Sequence, residues 1–102
     1  MKECCRKYLD EQFGGDADVA AEIYAEYVSS IKEKLGEARQ SLAAGDWMRL
    51  DRIAHTMKGN ALAAGDTELA ETAIELRKTA ALADPSLSAS LVERLGKLSE
   101  GL

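Results

Sequence analysis

Several residue types that build common functional sites are scarce in this sequence of 102 residues. It contains one histidine and two cysteines, Cys4 and Cys5, which cannot supply the four ligands of a zinc site at any familiar spacing. Basic residues are fewer than acidic ones, 13 against 18, whereas a nucleic-acid-binding protein normally has a basic excess. No apolar run approaches the roughly 20 residues of a membrane span, and the N-terminal segment lacks the apolar core of a signal peptide. We therefore expect a cytoplasmic protein that binds neither nucleic acid nor membrane.

Motifs for bound ions and for independent catalysis are also missing. Asp16-Ala17-Asp18 begins like a calcium loop, but Ala21 stands where that loop needs glycine. The segment from Gly59 to Gly65 has neither the spacing nor the Lys-Ser/Thr ending of a phosphate-binding loop. The Gly-x-Ser-x-Gly elbow of serine hydrolases is absent. We expect no cofactor and no metal in this chain, and structural roles for both cysteines.

Residues that favour helices are abundant, and the only proline, Pro85, lies near the C-terminus. Gly14-Gly15, Gly45-Asp46, Gly65-Asp66 and Asp84-Pro85 mark the breaks between helices. Helices are predicted over about 2–13, 16–44, 47–64 and 66–83, with Ser86 capping a last one. The predicted core stripe of the second helix is Val19, Ile23, Tyr27, Ile31, Leu35, Ala38 and Leu42, and that of the last helix is Leu87, Leu91, Leu95 and Leu98.

The breaks at 45–46 and 65–66 are so short that the helices they join must lie side by side and antiparallel. The sequence therefore predicts an all-α fold, an antiparallel up-down four-helix bundle with a short additional N-terminal helix. Residues 1–102 form one domain in this interpretation. We expect a monomer, because a bundle of this length closes its own core.

The single histidine, His55, falls on the outer side of its helix. On a helical wheel the apolar residues of 47–64 form one face, and His55 points about 140° away from the centre of that face. Lys58 follows one turn later on the same side, and Gly59 occupies a helix-interior position where glycine costs about 0.5–1 kcal/mol relative to alanine. Met48 and Leu62 flank His55 along the exposed line and form a small apolar patch.

The run His55-Thr-Met-Lys58-Gly59 resembles the His-x-x-Lys-Gly core of histidine-containing phosphotransfer (HPt) domains. Upstream, Leu42 to Trp47 is similar to that family's turn into its histidine-bearing helix. Downstream, Gly65 followed by Leu69 and Ile74-Glu75-Leu76 is similar to its next helix. The resemblance covers essentially the whole chain, with Met57 and Asn60 as slight departures from the usual residues.

The resemblance implies a phosphoryl carrier in a two-component phosphorelay, and no enzyme. His55 would accept the phosphoryl group from an aspartyl-phosphate on a response-regulator receiver domain and pass it to another receiver. Lys58 would offset the charge of the phosphohistidine, and Gly59 would leave room for the partner. Magnesium is expected on the receiver, and a hybrid sensor histidine kinase is a further possible partner. We expect the docking surface to include Met48, Asp51, Arg52, Leu62 and, on the preceding helix, Gly36.

Two other functions remain open at this stage. One is a helical adaptor that binds a signalling partner while His55 is never phosphorylated, which makes Lys58 and Gly59 coincidental. The other is a fragment of a kinase or dimeric phosphotransferase with its own nucleotide site, for which 102 residues leave no room.

Overall fold

A computed structural model describes residues 1–102 and contains five helices and no strand. Their bounds are α1 Glu3–Gln12, α2 Ala17–Ala44, α3 Trp47–Ala64, α4 Thr67–Ala81 and α5 Pro85–Glu100. The all-helical fold class is therefore confirmed. None of the five helices is both long enough and apolar enough to cross a membrane.

An aspartate begins each of the four long helices. The side chains of Asp16, Asp46, Asp66 and Asp84 each accept a hydrogen bond from the backbone N–H three residues further on. This satisfies one of the N–H groups that a helix leaves without a partner at its start. The prediction that Ser86 caps α5 was wrong, because Asp84 is the cap and Pro85 occupies the first helical position, where a missing N–H costs nothing.

The four long helices contact one another in chain order, and α5 also contacts α2. Two side-chain contacts fix how α2 and α3 lie together: Asn60 Nδ2 donates to Ser30 Oγ at 2.7 Å, and Arg49 Nη2 lies 3.9 Å from Glu37 Oε1. The residue numbers rise along α2 as they fall along α3, which is the register of an antiparallel hairpin about Gly45. The molecule is 43 Å long, which is close to the length of about 42 Å that a 28-residue helix such as α2 spans.

The core confirms the apolar face predicted for α3 and most of the faces predicted for α2 and α5, in which only Val19 and Leu87 are exposed. The first half of α2 buries Ala20 and Tyr24 and leaves Val19 exposed, and the Tyr24 hydroxyl forms hydrogen bonds near both ends of the chain, with Lys2 N and Leu102 O. Helix α5 turns Leu87 outward and buries small residues beside its apolar ones. The buried residues of α5 are Ser88, Val92, Leu95, Gly96 and Ser99.

The N-terminal helix is held by a buried carboxylate at the start of α4. Asp66 is fully buried, and Lys2 Nζ lies 2.8 Å from its Oδ1 while the Tyr27 hydroxyl donates to its Oδ2 at 2.7 Å. Burial lowers the pKa of Lys2, but the hydrogen bond and charge of Asp66 outweigh this and raise it above its ordinary value. Burial, and then Asp66, raise the pKa of Tyr27, so its hydroxyl stays a donor. The starts of α1 and α4 are thereby joined to α2.

The two adjacent cysteines lie in different surroundings, which predicts one reactive thiol in the folded chain. Cys4 is exposed, whereas burial, and then the nearby Asp66 carboxylate, raise the pKa of the Cys5 thiol to about 12. The thiolate is the reactive form, so Cys5 stays unreactive at neutral pH. We expect iodoacetamide to modify one thiol per native chain and two in denaturant, as counted by intact mass. Rapid modification of both native thiols would contradict this placement.

Candidate functional site

His55 is exposed on α3, on the side opposite the residues that pack into the core. The buried residues of this helix are Leu50, Ile53, Ala54, Met57, Ala61 and Ala64. These are the residues that the helical wheel assigned to the core, with Trp47 partly buried at the edge. The apolar pattern of α3 therefore fixes the direction of the imidazole, and the packing of the bundle holds that direction rigid.

A side chain from α4 contacts the imidazole. Arg77 Nη1 lies 3.1 Å from His55 Nδ1, and Arg77 Nε donates to Asp51 Oδ1 at 2.9 Å. Asp51 precedes His55 by one helical turn, so the guanidinium spans two residues on the same face of α3. The Arg77 and Asp51 side chains are each 37% exposed. The imidazole is thus held from one side by a guanidinium that a carboxylate positions.

Positive charge is concentrated beside His55 and Arg77. An open cleft of about 400 Å³ is lined by Asp51, Lys58, Ile74, Arg77, Lys78 and Ala81. Lys58, Arg77 and Lys78 bring three cations to it, whereas Asp51 is its one acidic residue and already pairs with Arg77. Cations grouped in this way favour a doubly charged phosphoryl group on the neighbouring ring.

Two of the three helix-interior glycines, Gly36 and Gly59, have no packing role inside the chain. A Cβ built on Gly59 or on Gly36 meets no other atom within 4 Å. Gly59 is exposed and Gly36 is half-buried. Glycine destabilises a helix interior relative to alanine, and at these two positions no close contact within the molecule compensates for that loss. Gly59 leaves the surface one turn beyond His55 without a side chain.

The expected docking residues differ in their surroundings. Met48 is 77% exposed and Leu62 is 51% exposed, one on each side of His55 along α3. Arg52 is exposed, whereas Asp51 is half-buried and bonded to Arg77. The structure adds Leu82, an apolar side chain that is 75% exposed just after α4.

Sequence reasoning missed Arg77, although the sequence held a signal for it. The turn between α3 and α4 is centred on Gly65-Asp66, and residues equally far from a tight antiparallel turn lie opposite one another. His55 is ten residues before Gly65, and Leu76 is ten after Asp66, so Arg77 is the first polar residue of α4 at that level.

The comparisons with known proteins add one finding. The sequence model of the Hpt domain matches residues 22–101, from within α2 to one residue past the end of α5. The match includes His55, Lys58, Gly59 and Arg77 and leaves α1 outside it. No curated protein and no solved structure matches the chain.

Proposed function

Because this chain belongs to the Hpt domain family, whose members transfer phosphoryl groups through histidine in phosphorelays, we propose that His55 is its phosphoryl-accepting residue. The observation that carries the proposal is the exposed imidazole on a rigid helix, with a cleft of three cations beside it. His55 is also the only histidine of the chain. Hpt domains are phosphoryl carriers that interact with receiver domains, and His55 gives this carrier a single point of attachment.

The transfer is a displacement at phosphorus. A lone pair of the neutral His55 ring attacks the phosphorus of an aspartyl-phosphate on the receiver, and an N–P bond forms as the O–P bond breaks. The electron pair of the broken bond leaves on the receiver's aspartate, which becomes a carboxylate. A second receiver reverses these events when its aspartate attacks the phosphohistidine. Positioning and charge stabilisation supply most of the catalysis in such transfers.

Two neighbours of His55 support this chemistry in the proposal. The Lys58 ammonium offsets the charge of the phosphoryl group, which is worth more in a contact that excludes water. Gly59 leaves the space into which the receiver's phosphorylated loop enters, which explains a glycine that no contact inside the chain requires. The magnesium ion of the reaction belongs to the receiver in this proposal, and the chain needs no cofactor of its own.

The docking surface in this proposal surrounds His55 on α3. Met48 and Leu62 provide its apolar contacts, with Arg52 and Asp51 between them and Gly36 on the neighbouring helix. A small apolar centre with a charged rim is typical of a transient protein interface. The proposed scaffold is a monomer that forms one domain of residues 1–102, with α2 to α5 in up-down order. The up-down order is supported by the helix contacts, because each long helix contacts the next in the chain and α5 contacts α2.

A labelling experiment tests the proposed function. A receiver domain carrying ³²P on its aspartate is mixed with the chain, and we expect label on the chain that is stable to base and lost in acid, as phosphohistidine is. His55→Gln is expected to take up no label while keeping the circular dichroism and melting temperature of the wild type, because position 55 is exposed. Label that persists in His55→Gln would overturn the site. The absence of label with every receiver tried would favour the adaptor function.

A further inference from the structure

The contact between Arg77 and His55 restricts the protonation of the ring. A guanidinium carries N–H donors and no acceptor, and it stays protonated in proteins. The 3.1 Å separation between Arg77 Nη1 and His55 Nδ1 is therefore a hydrogen bond in which Nδ1 accepts. An Nδ1 that accepts has no proton, so the proton of the neutral ring is on Nε2.

In this tautomer the ring nitrogen that a partner can reach is the one that carries the proton. Nε2 has no hydrogen-bond partner in the chain, so it is the nitrogen that a receiver reaches without displacing a side chain. In the resting ring, however, Nε2 holds a proton and has no lone pair with which to attack phosphorus. The lone pair lies on Nδ1, where the Arg77 guanidinium covers it.

We infer that Arg77 is a positioning residue that keeps His55 in a resting tautomer and releases it when a phosphorylated partner arrives. This inference rests on the proposed function of His55. When Nη1 leaves Nδ1, water delivers a proton to Nδ1 and removes the proton from Nε2, so the ring stays neutral. The Nε2 lone pair then forms the N–P bond as the O–P bond of the donor breaks, and the electron pair leaves on the donor.

Charge provides the trigger for this release. A guanidinium bonds more strongly to phosphate oxygens, which it binds in a bidentate manner, than to a neutral ring nitrogen. Arg77 also keeps an anchor while it turns, because its Nε donates to Asp51 at 2.9 Å independently of Nη1. The approach of the phosphoryl group therefore draws Nη1 away from the ring and frees His55 when the donor is in place.

The tautomer can be read directly, because the chain has only one histidine. Long-range ¹H–¹⁵N NMR spectra of the free chain, labelled with ¹⁵N-histidine, are recorded at about pH 8.5, where histidine rings are neutral. We expect the wild type to show the Nε2–H tautomer with an unprotonated Nδ1. In Arg77→Gln the amide oxygen can accept from Nδ1, and the Nδ1–H fraction is expected to rise about five-fold, the factor that one net hydrogen bond represents.

The rate of phosphorylation provides the second measurement. Phosphoramidate, a small donor that needs no docking surface, is expected to phosphorylate His55 about five-fold faster in Arg77→Gln, because the rate follows the fraction of competent tautomer. Arg94→Gln makes the same chemical change on the exposed face of α5 and is expected to match the wild type in both measurements. Circular dichroism checks that each variant is folded.

The outcomes separate this inference from the proposed function. Equal tautomer fractions in the wild type and Arg77→Gln would overturn it, as would a shift in tautomer with no gain in rate. If Arg94→Gln changed the tautomer fraction and the rate as much as Arg77→Gln does, net charge would control the tautomer of the ring, and the contact with Arg77 would not. Failure of every phosphorylated receiver to label His55 would overturn the proposed function, while the spectra and the phosphoramidate rates would still decide the role of Arg77.

Discussion

Replacing Gly59 with leucine is expected to reduce phosphoryl transfer from a receiver about 100-fold, although the fold becomes no less stable. Leucine favours a helix over glycine by about 0.5–1 kcal/mol, and the side chain meets no atom of the chain at its Cβ. Its bulk lies one turn beyond His55, where it holds the receiver away from the imidazole. A displacement of about 1 Å in reacting groups is enough to cost about 100-fold in rate.

The measurement is the initial rate of ³²P transfer from the receiver, together with urea denaturation of each variant. Gly59→Ala is expected to give a smaller loss with a similar gain in stability. Ala89→Leu adds an exposed leucine to α5, which contacts α2 and α4, and it is expected to transfer at the wild-type rate. Phosphorylation by phosphoramidate is expected to change little in Gly59→Leu. Wild-type transfer by Gly59→Leu would show that no partner approaches there.

Replacing Asp66 with alanine is expected to lower the free energy of unfolding by about 3 kcal/mol. The helix cap at Leu69 N accounts for about 1 kcal/mol of this loss. The rest arises because the buried Tyr27 hydroxyl loses its acceptor, which costs about 1–3 kcal/mol, and Lys2 loses its partner. For a domain of this size the melting temperature is expected to fall by at least about 10 °C.

A matched variant separates the cap from the buried network. Asp46 caps α3 in the same way as Asp66 caps α4 and follows a glycine in the same way. It is exposed, however, and its side chain makes one hydrogen bond, the cap at Arg49 N. Asp46→Ala is therefore expected to cost about 1 kcal/mol in urea denaturation. Equal losses in Asp46→Ala and Asp66→Ala would show that the bonds of Asp66 to Tyr27 and Lys2 contribute nothing to stability.

Much of the fold follows from signals that lie close together in the sequence. Each Gly-Asp pair ends one helix and caps the next, so the bounds of α3 and the start of α4 were predicted within one residue. The core faces of α3 and α4 follow from apolar spacing alone. In α5 the same spacing predicted Leu87, Leu91, Leu95 and Leu98, of which only Leu87 is exposed, and the helix also packs close to Arg39 through Gly96. A Cβ at Gly96 would lie 2.8 Å from the Arg39 guanidinium, so this close approach depends on a residue without a side chain, which apolar spacing does not predict.

The sequence by itself determined that this chain is helical, that His55 points out of α3, and that Lys58 and Gly59 lie beside it. These properties depend on residues within one or two turns of one another, so the periodicity of a single helix is enough to set them. The tertiary structure decided which Gly-Asp aspartate is buried and which guanidinium meets the imidazole. Asp66 gains Lys2 from 64 residues away, and Arg77 reaches His55 across 22 residues. Such contacts depend on how separate helices pack, which the periodicity of a single helix does not encode.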